Sequence, residues 1–265
     1  MISVEEAIKR ILDHFMVLPA EDVSLEQALG RVLATDIVSR RTQPPVDISA
    51  MDGFAARTRD FTNKSTILKC VGEVRAGSNF QGEVLKNQTV RIFTGAPIPL
   101  GADAVVLQEN SAVDDGIVTV SDQPSIGQYI RRAGLDFRAN EDRIKSGKVL
   151  SVRDTALAAA MNHPWLSVRR RPKISILATG DEIVRPGEPI LENQIVSSNS
   201  IALKSFIETC GGTGLNLGIA NDNVETLDTM IAGATGSDLL VTTGGISVGH
   251  YDLVKETLLQ KGLKI

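Results

Sequence analysis

The sequence predicts an α/β protein in which a mixed helical and β-rich region precedes a doubly wound parallel-sheet domain. Beyond Pro172, strand-like segments (174–178, 214–219, 239–243) alternate with helix-like ones (199–210, 224–234, 253–261), the pattern of a parallel sheet with helices on both faces. Between residues 54 and 122, short apolar stretches at 67–71, 90–93, 104–107 and 117–120 are separated by Gly, Asn and Asp turns, which is β patterning. At 265 residues the chain has the length of two domains, divided as 1–170 and 171–265, with the β-rich subdomain at about 54–140.

Ser3-x-x-Glu6 reads as a capping box, and Val4, Ala7, Ile8, Ile11, Leu12 and Phe15 form the apolar stripe of the helix it opens. Ser24-x-x-Gln27 repeats the signal, but Gly30 keeps that second helix short or irregular. Pro44-Pro45 excludes helix and favours an extended lead-in to the Ser49–Gly53 loop. Asp114-Asp115-Gly116 suits a hairpin turn, and 154–162 reads as a helix. The run Arg169-Arg170-Arg171 before Pro172 reads as a solvated linker, and 262–265 as the start of a further strand.

Apolar residues make up 42% and charged residues 23%, which argues against bulk disorder. No apolar run approaches the ~20 residues of a membrane span, and the start lacks the basic and apolar regions of a secretion signal. Two cysteines without CxxC spacing fit a reduced, cytoplasmic chain. From Pro172 onward there are 6 Lys+Arg against 11 Asp+Glu, so no basic footprint for nucleic acid exists there.

In an open parallel sheet, ligands bind beyond the carboxyl ends of the strands. Three such ends are polar here: Ala178-Thr179-Gly180-Asp181-Glu182, Ala220-Asn221-Asp222, and Thr242-Thr243-Gly244-Gly245-Ile246-Ser247-Val248-Gly249-His250-Tyr251-Asp252. Glycines let backbone N–H groups approach an anion closely, so the third end is a candidate phosphate cradle that needs no lysine. Ser247 suits a hydroxyl donor to the ligand. Carboxylates beside a phosphate cradle favour a divalent cation, with Asp222 and Asp252 as the metal candidates. The alternative for each of these two is a helix N-cap. The three histidines lack zinc-ligand spacing.

Four ordered motifs then carry a family resemblance over the whole chain: Ser49-Ala50-Met51-Asp52-Gly53-Phe54-Ala55, Arg91-Ile92-Phe93-Thr94-Gly95-Ala96-Pro97-Ile98-Pro99, Ala178-Thr179-Gly180-Asp181-Glu182 and Thr243-Gly244-Gly245-Ile246-Ser247-Val248-Gly249. Together they resemble the molybdopterin molybdenumtransferase family, which includes MoeA and the E domain of gephyrin. The resemblance implies a MogA-like second domain and a role in molybdenum cofactor biosynthesis. The reaction it implies is Mg²⁺-dependent insertion of molybdate into adenylylated molybdopterin, with release of AMP. By position it implies catalytic roles for Asp52, Thr94, Arg131, Asp136, Glu182 and Asp252. Ligand binding is implied for Thr179, Gly180, Asp181, Asp222, Thr243, Gly244, Gly245, Ser247 and Gly249. For Arg131 and Asp136 a plain ion pair is the alternative. The sequence departs from the family at Phe54, where Tyr is usual, and at Leu135, where an acidic or small polar residue is usual.

Further implications are a homodimer with a shared cleft, a MogA-type molybdopterin adenylyltransferase as pathway partner, and neither nucleic acid nor membrane as partner. The family's lysine-rich loop and β-rich fourth domain would follow beyond Ile265, so this length of chain is expected to bind ligand without completing insertion. A non-catalytic molybdopterin-binding scaffold and a molybdopterin adenylyltransferase are the alternative functions.

Overall fold

Ser3 opens the first helix, α1 (Val4–Leu12): its Oγ accepts a hydrogen bond from the Glu6 N–H at 3.1 Å, as the capping box predicts. The computed structural model describes residues 2–63, 65–244, 253–260 and 262. These fall into two compact units, one of residues 1–35, 147–151 and 165–265, the other of residues 36–146 and 152–164.

The second of these units is built on a six-stranded sheet. Its spatial order is Ala104–Leu107, Gly53–Ala56, Gln88–Ile92, Thr66–Val74, Ile117–Val120 and Ser111–Asp114. Alternation along the strands sends Phe54, Ala56, Leu68, Val106 and Val118 into one apolar cluster and Ala55, Val90, Ile92 and Val105 into another. Gly53–Ala56 and Ala104–Leu107 are therefore covered on both faces and read as continuous apolar runs, whereas Thr66–Val74 and Ser111–Asp114 leave side chains such as Ile67 and Val113 exposed. The Asp114 hairpin turns on Asp115 and Gly116, whose φ values of 39° and 77° suit a two-residue turn with both central residues left-handed. α2 (Val152–Ala160) completes the unit with two short pairings: Ile37–Val38 with Asp142–Ile144, and Ile48–Ser49 with Ile130–Arg131.

In the other unit, the Ser24 signal yields only a 3-10 turn, Leu25–Gln27, because the preceding strand Ala20–Ser24 is drawn into antiparallel pairing with Trp165–Arg169. That pairing also corrects the linker reading of the three arginines. Arg169 ends the strand, and Arg170 grips Asp238 through two bonds of 2.9 and 2.7 Å. The guanidinium, helped by the Lys173 N–H, holds the Asp238 carboxyl down at about 2.

The parallel sheet then forms with Lys173–Thr179 in the centre, flanked by Thr213–Ala220 and Leu239–Thr243. Its helices are α3 (Asn199–Thr209), α4 (Val224–Ala232) and α5 (Leu253–Gln260). Leu177 and Ala220 pack with Leu227 and Ile231 of α4 and Val254 of α5. α3 packs on the first two strands without joining that cluster. Observed bounds lie within two residues of the predicted ones. The strand predicted at 263–265 lies outside the described residues. No described helix is long and apolar enough to cross a membrane.

Candidate functional site

In the unit carrying the six-stranded sheet, three strand ends meet at Asp52. Gly53 pairs with Ile92 on one side and Leu107 on the other, so Asp52, Thr94 and Gln108 share one end of the sheet. A Cβ on Gly53 would lie 1.9 Å from the Val106 carbonyl oxygen, so only glycine fits after Asp52. The Asp52 carboxylate accepts from both the backbone N–H and the hydroxyl of Thr94, each at 2.8 Å. These bonds, the backbone one foremost, hold its carboxyl below the ordinary range, and the Arg91 charge adds to them.

Arg91 is the residue here whose role the sequence did not disclose. Its cross-strand partner is Phe54, over whose ring its guanidinium lies at 4.8 Å, with Phe93 at 5.3 Å. A 2.5 Å bond to Gln108 Oε1 completes its setting. Arg91 stood in a quoted motif, but only the strand register shows what it faces.

Arg131 and Asp136 form an ion pair at 3.3 Å, both half-exposed. Among the described residues no hydrogen bond or ion pair links them to Asp52. The segment between is nevertheless tied down: Ser49 pairs with Ile130 on one side and accepts from the Gly95 N–H on the other.

At the carboxyl end of the parallel sheet, the structure brings together Thr179, Gly180, Asp181, Glu182, Asp222, Thr243 and Gly244. Thr179 is fully buried, and among the described residues its Oγ1 has no hydrogen-bond partner. Gly244, at φ +88°, lies so close that a Cβ would sit 2.1 Å from the Thr179 carbonyl oxygen. Gly180, at φ +139°, turns the chain, and a Cβ there would meet the Glu182 carboxylate at 2.5 Å. The Asp222 N–H donates to Asp181 Oδ1 at 3.2 Å.

Asn223, not Asp222, caps α4, accepting from the Thr226 N–H at 2.8 Å. The N-cap alternative for Asp222 therefore falls. Instead, partial desolvation and then the charges of Asp181 and Glu182 push the Asp222 carboxyl upward. Asp252, Gly245, Ser247 and Gly249 lie outside the described residues, as does His250. Among the described residues no three His, Cys, Asp or Glu side chains are grouped to hold a metal ion. The rim still fits a hard divalent cation in kind, since its donors are carboxylate oxygens whose mutual repulsion a cation would relieve.

A parallel sheet flanked by helices, with glycine turns and carboxylates at its strand ends, makes this an α/β domain of the open-sheet class, in which ligands sit beyond the carboxyl ends of the strands. Residues 2–162 match the family described as MoeA N-terminal region (domain I and II), and the chain belongs to that family. Residues 175–264 match a second family, described as a probable molybdopterin binding domain.

The chain is 35% identical over 265 residues to the molybdopterin molybdenumtransferase of Haemophilus influenzae, covering 99% of this chain and 65% of that protein. The protein of the same name from Nostoc is 36% identical over 250 residues, covering 92% of this chain and 57% of its own. The crystal structure of the molybdopterin biosynthesis MoeA protein from Pyrococcus horikoshii superposes with a TM-score of 0.86 at 30% identity, covering 98% of this chain and 66% of that one. The chain thus spans less than two thirds of the length of these relatives.

Proposed function

We propose that this chain binds adenylylated molybdopterin at the carboxyl end of its parallel sheet, and that it serves molybdenum cofactor biosynthesis as part of a molybdopterin molybdenumtransferase. The observation that carries the reading is the buried Thr179 hydroxyl, left without a partner among the described residues where glycine turns open the strand end. An orphaned buried hydroxyl costs about 1–3 kcal/mol, a penalty that a ligand oxygen would remove.

In this reading Thr179 and Ser247 donate hydroxyls to the ligand, while Gly180, Thr243, Gly244, Gly245 and Gly249 let backbone N–H groups reach its phosphates. Asp222 and Asp252 are the residues that would hold Mg²⁺, which when bound offsets charge on the phosphoryl group. Asp181 and Glu182 fix the position of Asp222 and the polarity of the rim. Roles in the whole protein's reaction are assigned to Asp52, kept ionised by Thr94, and to the Arg131–Asp136 pair. The whole protein would insert molybdate and release AMP. The same reading takes it as a cytoplasmic homodimer, divided at residues 170 and 171 and supplied by a MogA-type adenylyltransferase.

Calorimetry with AMP tests this. AMP should bind when Mg²⁺ is present, and at least about tenfold more weakly to Asp222→Ala at unchanged melting temperature. AMP binding that ignores both Mg²⁺ and the substitution would refute the reading.

A further inference from the structure

Between α3 and the strand Thr213–Ala220 lies a cavity of about 150 Å³, several times the ~30 Å³ share of one water. Its polar lining comes from Arg185, Ser197, Ser200 and Asn216, and Ile201 and Ile219 form its apolar walls. No carboxylate lines it, although this half of the chain holds 11 acidic residues against 6 basic ones.

Every polar side chain there can donate a hydrogen bond, and none is an anion. Arg185 has no ion-pair partner among the described residues. Asn216 spends its Oδ1 on the Gly218 N–H at 3.0 Å, which leaves its amino group to donate. Ser200 is only 3% exposed, and among the described residues its hydroxyl reaches only Ser197 Oγ, at a long 3.5 Å that leaves room for a closer partner.

The backbone prepares the same place. Thr213–Ala220 bulges against the central strand, and Gly218 stands there at φ +103°. A Cβ on Gly218 would lie 3.4 Å from Arg185 Nη2 and 3.3 Å from Met230, so glycine lets the guanidinium rest on the strand. The Arg185 N–H donates to Glu188 Oε2 at 2.9 Å, which pins the turn that presents the side chain. Ser198, at the start of α3, makes no side-chain cap, so the first-turn N–H groups next to Ser200 gain no partner from it.

We propose that this cavity binds a tetrahedral oxyanion, gripped by the Arg185 guanidinium, the Ser197 and Ser200 hydroxyls and the Asn216 amide. It shares no residue with the Thr179–Asp222 rim, so the two assignments stand or fall separately. Such an anion can be a phosphoryl group or molybdate, and separate titrations distinguish them.

The test follows amide signals of Ser200, Ile201 and Gly218 by NMR during titration with inorganic phosphate, and in a second series with molybdate. Saturable shifts at these residues are expected with at least one anion. Arg185→Gln should weaken binding about tenfold or more, and Arg185→Lys should restore part of it. AMP binding with Mg²⁺ should be unchanged in both variants. No saturable shift with either anion, or equal shifts in Arg185→Gln, would overturn the proposal.

Discussion

Asp52 and Asp222 both stand at strand ends, yet their surroundings push their carboxyl groups in opposite directions. Asp52 is satisfied within the chain by two bonds from Thr94 and lies low. Asp222 confronts Asp181 and Glu182 and lies high. The nearby threonines repeat the contrast: the Thr94 hydroxyl donates to Asp52, whereas the Thr179 hydroxyl is buried with no partner among the described residues. One region is complete as folded. Among the described residues the other carries uncompensated charge and an unmet donor, the pattern that functional sites share.

The largest test of this contrast is steric. Gly244→Ala places a Cβ against the Thr179 carbonyl oxygen at positive φ, whereas Gly95→Ala at φ +82° meets nothing closer than 3.6 Å. Chemical denaturation should show a loss above about 3 kcal/mol for Gly244→Ala and about 1–2 kcal/mol for Gly95→Ala. Equal losses would mean that the rim is no tighter than the Asp52 corner.

A smaller effect concerns Asp52 alone. Thr94→Val removes the hydroxyl bond and keeps the backbone one, so the Asp52 titration should move part of the way back toward the ordinary value of about 3.9. Because the folded pKa is lowered, its stabilising contribution is present above the unfolded value and lost as pH falls through the folded one. Thr94→Val therefore shrinks the acid-side loss. A carbon-13 NMR titration that leaves Asp52 unmoved would remove the basis of the comparison.

Local signals carried most of the fold into view. The Ser3 capping box, the Asp115-Gly116 turn and the strand–helix alternation after Pro172 depend on residues a few positions apart, and each is found where the pattern placed it. What stayed hidden depends on distant partners. Arg170 finds Asp238 from 68 residues away, and Arg91 finds Phe54 only through strand register. The glycines and carboxylates of the rim were visible as motifs. That Asn223 takes the capping role and leaves Asp222 among like charges was not, because both residues are good caps and one position decides between them.

The proposal that Asp222, with Asp252, would hold Mg²⁺ at the rim is tested most directly by melting curves against Mg²⁺. Since the Asp222 carboxyl is raised, its favourable contribution is full below the unfolded value and lost as pH rises through the folded one, so at neutral pH the metal-free chain bears the repulsion. Without Mg²⁺, Asp222→Asn should therefore melt at or above the wild-type temperature. With Mg²⁺ the wild type should gain stability with the logarithm of concentration, by about 2.7 kcal/mol at a hundredfold excess over Kd, while Asp222→Asn gains little. A wild type that does not respond to Mg²⁺, together with an Asp222→Asn variant that melts lower at every concentration, would contradict the account.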